Sequence, residues 1–187
     1  MGIRDWFKSS SCENEEALGL QVELAPIGGS PELQALFIDI PAIDLFRAID
    51  GWKWLPVTGL TAIAVSAFGE VFFRDSAGVV HQIDTIEGRL TKVANSLPEL
   101  TTMLKDAEAR DNLLLEGLVI GARKMGLILE PGECYDFKIA PVLGGKMGVE
   151  EMQKLSFVVK LHIAGQLHEQ VKDLPPGTKI NHVTISP

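Results

Sequence analysis

Residues 68–100, FGEVFFRDSAGVVHQIDTIEGRLTKVANSLPEL, contain the pattern that decides the fold of this chain. The β-prone segments GEVFFRD and VVHQID lie on either side of SAG at 76–78, which is typical of a β-hairpin. The stretch TIEG marks a second turn, and RLTKVAN follows it as a third strand. Asp75 and Asp84 lie at the hairpin ends, where carboxylates usually serve turns. Residues 69–95 therefore predict a three-stranded antiparallel meander.

The spacing of the apolar residues changes from strand-like to helix-like after the meander. Ser96 and Glu99 form a capping box, in which the serine is the N-cap and the glutamate follows three residues later. We expect a second helix with Asp111 as its N-cap and Gly126 at its end. The core-facing positions predicted for the two helices are Leu100, Met103, Leu104, Ala107, Leu114, Leu115, Leu118, Val119 and Ala122.

The segments before the meander predict two helices and one strand. SPELQ at 30–34 begins like a helix, with a serine N-cap and proline at the first helical position. PAIDLFRAIDG at 41–51 has the apolar spacing of an amphipathic helix. We expect Trp52 and Trp54, which follow it, at the edge of the core. Residues 58–67 predict a strand.

The C-terminal third mixes strand and helix signals. The stretch CYDFKIAP predicts an extended segment followed by a glycine turn. The side chains expected to enter the core from this part of the chain are Tyr135, Phe137, Ile139 and the run 141–143. Residues 156–177 leave strand and helix open: their first half is β-branched, and a short helix fits from about Leu161. Residues 178–186 alternate in polarity and predict a final strand.

The order of these elements favours the α+β class, because strands, helices and further strands follow one another without repeated βαβ units. We expect an antiparallel meander packed against helices in a single domain at 21–187. A polar N-terminal tail is expected at 1–20, where serines and glutamates follow Trp6 and Phe7.

The composition narrows the class of partner. The chain has 187 residues, of which 46% are hydrophobic, which is enough apolar material for one core. Its net charge of −8 disfavours nucleic acid and anionic membranes as partners, because both are bound by clustered lysine and arginine. Two cysteines, and an N-terminal segment without an uninterrupted apolar run, predict a cytoplasmic protein without a disulfide framework.

The stretch GECYDFKIAPVLGGKMG contains two candidate features of an active site, a glycine-lysine turn and a cysteine. Its GGK resembles the end of a phosphate-binding loop, but Met147 stands where Ser or Thr is needed and Ala140 where the first glycine is needed. We therefore expect Gly144 or Gly145 to have a positive φ in a turn. Cys134 would be a nucleophile only beside an activating base, and a free cysteine is most often a small buried hydrophobe.

The histidines do not have the spacing of a metal site. His162 and His168 are six residues apart, which places them on opposite sides of a helix, or about 20 Å apart on one face of a strand. GxSxG, HExxH, CxxC and dinucleotide-binding motifs do not occur in the sequence. We predict no catalytic residue, no bound cofactor and no metal.

The stretch at 68–100, together with GECYDFKIAPVLGG and LHIAGQLHEQ, resembles a bacterial domain family named for the C-terminal domain of a type VI secretion immunity protein, which neutralises a DNase effector. The resemblance covers about 55–170, and the chain is similar, more distantly, to Smi1/Knr4-type immunity proteins. The family-signature positions, which we expect to be structural, are Gly69, Asp75, Gly78, Cys134, Tyr135, Pro141, Gly144, Gly145 and Gln166.

The chain departs from the family pattern in two respects. Lys160, Leu161 and His162 stand where the family often has Glu-His. About 50 residues precede the resemblance, so we expect the further N-terminal domain of the better-known members to be absent or much shortened.

The sequence leaves three functional hypotheses open. The resemblance implies a non-enzymatic binding protein, an immunity protein that occludes a cognate secreted toxin, with a basic nuclease as one toxin class. The second hypothesis is an enzyme of unknown reaction that uses Cys134 or a carboxylate in a cleft. The third is a structural or regulatory scaffold that dimerises through exposed apolar residues near Trp52 and Trp54. The oligomeric state is open in all three.

Overall fold

The computed structural model describes residues 19–25, 27–175 and 177–186, so most of the predicted tail at 1–20 lies outside the described residues. The strands are β1 (Gln21–Val22), β2 (Thr61–Val65), β3 (Val71–Arg74), β4 (Val80–Asp84), β5 (Arg89–Ala94), β6 (Glu133–Phe137) and β7 (Met152–Ser156). The α-helices are α1 (Pro31–Gln34), α2 (Ala42–Ile49), α3 (Leu97–Met103), α4 (Ala107–Leu114), α5 (Glu116–Lys124) and α6 (Phe157–Val171). The predicted domain boundary at residue 20 stays a prediction.

Strands β1 to β5 form one sheet in that order, in which β1 is parallel to β2 and the other neighbours are antiparallel. The predicted meander is confirmed as β3–β5, and β2 extends it. Oδ1 of Asp75 accepts hydrogen bonds from two backbone N–H groups of the first turn, and Oδ1 of Asp84 does the same in the second. The hydrogen bonds of these two aspartates therefore close the turns of the meander. The predicted α+β class is confirmed.

The helices after the sheet follow the predicted caps in part. The Ser96 hydroxyl accepts from the Glu99 amide as expected, whereas the Glu99 carboxylate accepts from the Asn95 amide. The prediction that Asp111 is an N-cap is wrong, because Asp106 caps α4 and Asp111 lies inside that helix. Asp111 instead reaches forward and accepts from the Gly117 amide at 2.8 Å, across the left-handed residue that separates α4 from α5.

The core side chains of these helices are a subset of those predicted. Leu100, Leu104, Leu114, Val119 and Ala122 are buried. Ala107, by contrast, is exposed, because α3 ends before it and α4 begins there in a new direction.

The C-terminal part differs most from the sequence expectation. Residues 156–177 left strand and helix open; helix α6 already begins at Phe157, so the expected helix start at about Leu161 is wrong. The prediction of a final strand at 178–186 is also wrong, because those residues have neither strand nor helix. Tyr135 and Phe137 enter the core as expected, but Ile139 is 58% exposed, because the chain turns outward after β6. Leu143, in the predicted core run 141–143, is likewise exposed.

The five-stranded sheet carries a hydrophobic core on each face, because successive strand residues point to opposite sides. Phe73 belongs to the core shared with α2 and α6, and Phe72 to the core shared with α3, α4 and α5. Trp52 was expected at the core edge, and this prediction is wrong: the indole is fully buried. Its Nε1–H donates to the Leu161 carbonyl at 2.8 Å, so it joins the 3-10 turn after α2 to α6.

Candidate functional site

Five polar side chains are buried together where α6 meets the five-stranded sheet. They are Ser66, Glu70, Thr85, Lys160 and His168. The sheet and its turns supply the first three, and α6 supplies the lysine and the histidine. We call this group the Lys160 cluster. Buried lysine and glutamate side chains are rare unless they are paired, so the cluster is the most unusual feature of the described interior.

Hydrogen bonds connect the two charged members through a hydroxyl. Lys160 Nζ donates to the Phe68 carbonyl and, at 2.9 Å, to Thr85 Oγ1. The Thr85 hydroxyl donates to Glu70 Oε1 at 3.1 Å, and the Ser66 hydroxyl donates to the other oxygen, Oε2. Burial raises the pKa of Glu70 above its ordinary value, while the positive charge of Lys160 opposes the rise. The polar atoms of both charged groups are thus bonded inside the protein.

Gly69 lies against the side chain of Lys160. Its φ of +81° is one that a side-chain-bearing residue rarely adopts. A Cβ atom built there would lie 3.5 Å from Lys160 Nζ and 3.6 Å from Cys134 Sγ. Two family-signature residues, Gly69 and Cys134, therefore lie directly beside the lysine.

Cys134 is buried as predicted, with no exposed surface. Burial raises the pKa of its thiol to about 12, although Lys160 acts in the opposite direction. The thiolate is the reactive form of cysteine, and at neutral pH this side chain is almost entirely the neutral thiol. The geometry gives no support to Cys134 as a nucleophile.

His168 closes the cluster on the side of the buried Trp52. Its ring lies 5.7 Å from the Trp52 ring between centroids, and its Nε2–H donates to the Thr85 carbonyl at 3.0 Å. Gly88 has a φ of +67°, and a Cβ there would lie 2.1 Å from His168 Nδ1. Burial lowers the pKa of His168, while the Thr85 hydrogen bond and the Asp84 charge oppose this effect.

The lowered pKa of His168 predicts that the protein loses stability on mild acidification. In the unfolded chain the imidazole of His168 takes up a proton near pH 6.5, whereas in the folded chain it does so only at lower pH. Between these two pH values the unfolded state therefore binds more protons than the folded state. The unfolding free energy should then fall by up to about 1.4 kcal/mol per pH unit in that window. His168→Gln should have a flatter slope in urea titrations between pH 7 and pH 5.5. Equal slopes for the two proteins would contradict this assignment.

A small cleft of about 70 Å³ opens beside the cluster, lined by Thr85, Asp136, Lys160, His168 and Pro141 among others. Burial raises the pKa of Asp136, again against the influence of Lys160. Lys160 donates its hydrogen bonds to Phe68 and Thr85, and His168 donates its hydrogen bond to the Thr85 carbonyl. The arrangement is therefore suited to holding α6 on the sheet.

The remaining signature residues lie at separate places. Asp75 and Gly78 form the β3–β4 turn, where Asp75 also lies 3.1 Å from His81 Nε2. The Tyr135 hydroxyl donates to the Leu127 carbonyl at 2.7 Å. Gln166 lies on the opposite side of α6 from the cluster, where it contacts the C-terminal segment.

The glycine turn of the signature is formed as predicted. Gly144 has a φ of +88°, which confirms the expected positive φ. Gly145 is needed for a different reason: a Cβ there would lie 1.9 Å from the Ile139 carbonyl oxygen. None of the turn residues, Pro141 to Met147, has an acidic or hydroxyl side chain.

Sequence reasoning missed Glu70 and Thr85, and it named Lys160 only as a departure from the family pattern. The available signal was a single charged residue inside an apolar stretch, as in FGEVFF and FVVKLH. Within the described residues, histidine, cysteine and carboxylate side chains form no group of three that could hold a metal ion. Among the described residues, no helix has the length and hydropathy of a membrane span.

Comparison with protein-family models matches residues 94–168 to the family described as T6SS immunity protein Tdi1, C-terminal. Comparison with curated protein sequences gives no match. Among solved structures, the crystal structure of Atu4351 from Agrobacterium tumefaciens is similar at 22% identity and a TM-score of 0.41. That similarity covers 66% of this chain and 61% of the other, which is less than two thirds of the other chain.

The family match divides the signature residues. Cys134, Tyr135, Pro141, the two turn glycines and Gln166 lie inside the matched segment, as does Lys160, whereas the signature residues of the sheet lie before it. The match begins at the end of β5 and ends within α6. The resemblance predicted from the sequence is therefore confirmed over residues 94–168, which match the C-terminal domain family of the type VI secretion immunity protein Tdi1.

Proposed function

We propose that this chain is an immunity protein that binds a cognate secreted toxin and neutralises it by occlusion. The observation that carries the proposal is the match of residues 94–168 to a type VI secretion immunity family. The Lys160 cluster supports a binding role, because its charged groups are bonded to the protein itself and serve to position α6.

The charge of the chain supports a basic toxin, and we propose a nuclease as the class. Enzymes that bind nucleic acid carry clustered positive charge, and a chain with a net charge of −8 attracts such a partner. Complementary charge raises the association rate more than it raises the affinity. We expect the association rate with the toxin to fall steeply with added salt.

The proposal is tested by co-expression with the toxin encoded by the adjacent gene. The expected results are a complex that co-purifies and survival of cells that produce both proteins. A matched control is the same toxin with an unrelated acidic protein of similar size. Absence of a complex, together with absence of protection, would remove the proposal.

Cys134→Ala separates the binding hypothesis from the alternative in which Cys134 is catalytic. The binding hypothesis predicts a loss of about 1–2 kcal/mol in unfolding free energy from the small cavity, with protection of cells retained. Urea unfolding and the cell-survival assay measure these two effects. Full stability with complete loss of protection would instead favour a chemical role for the thiol.

A further inference from the structure

The C-terminal segment is held on α6 by two glutamine side chains that bind its main chain. The Gln166 amide donates to the Ser186 carbonyl at 3.0 Å, and its Oε1 accepts from the Ser186 amide at 2.7 Å. Gln170 forms the same pair with Thr184, at 2.8 Å and 3.0 Å. We call residues 177–186 the strap.

The spacing of these contacts fits any extended chain. Gln166 and Gln170 are four residues apart on a helix, a rise of about 6 Å. Thr184 and Ser186 are two residues apart in the strap, and two extended residues span about 6.6 Å. Both glutamines contact only backbone atoms of the strap in these pairs, so the recognition does not depend on the strap's side chains.

The orientation of Gln166 is fixed from the other side. Its Nε2 lies 2.7 Å from His162 Nε2, which places the amide nitrogen toward the histidine and the carbonyl oxygen toward the Ser186 amide. A preformed amide of this kind loses little side-chain entropy on binding a chain.

The end of the strap lies at the surface, over a groove that it covers only in part. Thr184, Ile185 and Ser186 are exposed, and Ile185 lies over an open groove between α2 and α6. Val159 and Ile163 in this groove are 44% and 38% exposed with the strap in place. An apolar surface that its own cover leaves partly open has room for a better-fitting occupant.

The strap also passes over the family-signature surface. Its residues 177–183 line a cleft together with Pro141 and Gly144, and its end is bound by Gln166. The strap lies outside the matched segment 94–168, whereas these three contact residues lie inside it. Most of the contact surface thus lies inside the matched segment, whereas Gln170 and the strap come after it.

We propose that this surface, defined by Gln166, Gln170, Val159 and Ile163 and called the strap site, binds an extended segment of the cognate toxin in place of the strap. The inference rests on the proposed function. The strap shows the chemistry of a suitable segment: main-chain N–H and C=O groups two residues apart that bond to the glutamines, a β-branched residue at the position of Ile185, and no carboxylate side chain. Main-chain recognition with one apolar anchor is a common way of binding extended peptides.

The strap site is tested first without the toxin, with full-length variants. Thr184→Pro/Ser186→Pro removes the two strap amides that the glutamines bind and leaves the glutamines unchanged. A fluorescein-labelled synthetic peptide, TKINHVTISP, should bind this variant at least about tenfold more tightly than it binds the unmodified chain, since the tethered strap no longer competes. Adding Gln166→Ala/Gln170→Ala should abolish peptide binding. Gln34→Ala, an exposed glutamine on α1, is the matched control.

In the toxin assay, we expect the two double variants to change the affinity for the toxin in opposite directions. Thr184→Pro/Ser186→Pro should bind the toxin about three- to tenfold more tightly, and Gln166→Ala/Gln170→Ala about tenfold more weakly, in calorimetric titrations. If the unmodified chain binds toxin and neither variant changes the affinity, the strap site is refuted while the proposed function stands. If the unmodified chain binds no toxin, the proposed function fails, and this inference fails with it.

Discussion

A chain carrying Lys160→Met is expected to have an unfolding free energy lower by about 3–5 kcal/mol, because the substitution leaves the buried Glu70 carboxylate without its cation. Methionine fills a similar volume, so the loss reports on charge and hydrogen bonding. The Lys160 amine bonds to the Phe68 carbonyl and to Thr85, and both lose a donor in the variant. Urea unfolding at pH 7 measures the effect.

Two further variants identify the cause of this loss. Lys146→Met, at an exposed position in the glycine turn, should change the unfolding free energy by less than about 0.5 kcal/mol. The double variant Glu70→Gln/Lys160→Met should recover part of the loss, since it removes both buried charges. A double variant that is less stable than Lys160→Met would show that the carboxylate is not the source.

The pH dependence of Lys160→Met has a definite sign. The folded-state pKa of Glu70 is already raised above its unfolded value by burial, and removal of Lys160 raises it further. Stability from such a group is present at low pH and is lost as the pH rises through the folded pKa. The deficit of the variant relative to the unmodified chain should therefore be smaller at pH 5 than at pH 8.

Gly165→Ala is expected to lower the unfolding free energy by about 2–3 kcal/mol, although helix propensity alone predicts a gain of about 1 kcal/mol. Helix α6 crosses the 3-10 turn at Asp50–Trp52 so closely that a Cβ at Gly165 would lie 2.4 Å from the Gly51 carbonyl oxygen. That atom belongs to the backbone and cannot rotate away. Thermal and urea unfolding show directly whether the unfolding free energy falls or rises.

The damage from Gly165→Ala should extend to the buried tryptophan. The added Cβ also comes within 2.9 Å of Trp52 Cδ1, so α6 must move away from the ring that bonds to Leu161. Trp52 fluorescence should shift in the folded variant. Gly29→Ala is the control, because that glycine has an ordinary φ and open space around its Cα. A stabilised Gly165→Ala variant would mean that the crossing is looser than described.

The parts of the fold that the sequence predicted are those held by nearby residues. The β3–β4 turn is closed by Asp75 within four residues, and α3 is capped by Ser96 within three. The start of α6 was expected too late because Val158 and Val159, which favour strands, are held in a helix that packs on the sheet. The strand prediction for the strap was wrong for the opposite reason. The strap alternates in polarity like a strand, but its main chain bonds to side chains of a helix instead of to another strand.

The candidate site lay almost wholly beyond sequence reasoning. Signature residues such as Gly69 and Cys134 could be singled out, but Lys160, which lies beside them, was named only as a departure from the family pattern. Its hydrogen-bond partner Thr85 is 75 residues away, and Gln166 is 20 residues from Ser186. No local spacing records such a pairing, because it exists only after α6 has docked.

By itself, the sequence determined the α+β class, the antiparallel meander with its turns, the buried Cys134 and the positive φ of Gly144, because each depends on local backbone preference, turn chemistry or hydrophobicity. Tertiary structure alone decided that Lys160 and Glu70 share a buried site, that Gly51 and Gly165 touch, and that the strap lies on Gln166 and Gln170. These contacts join residues distant in the chain, and their energies appear only when water is excluded and the two surfaces meet.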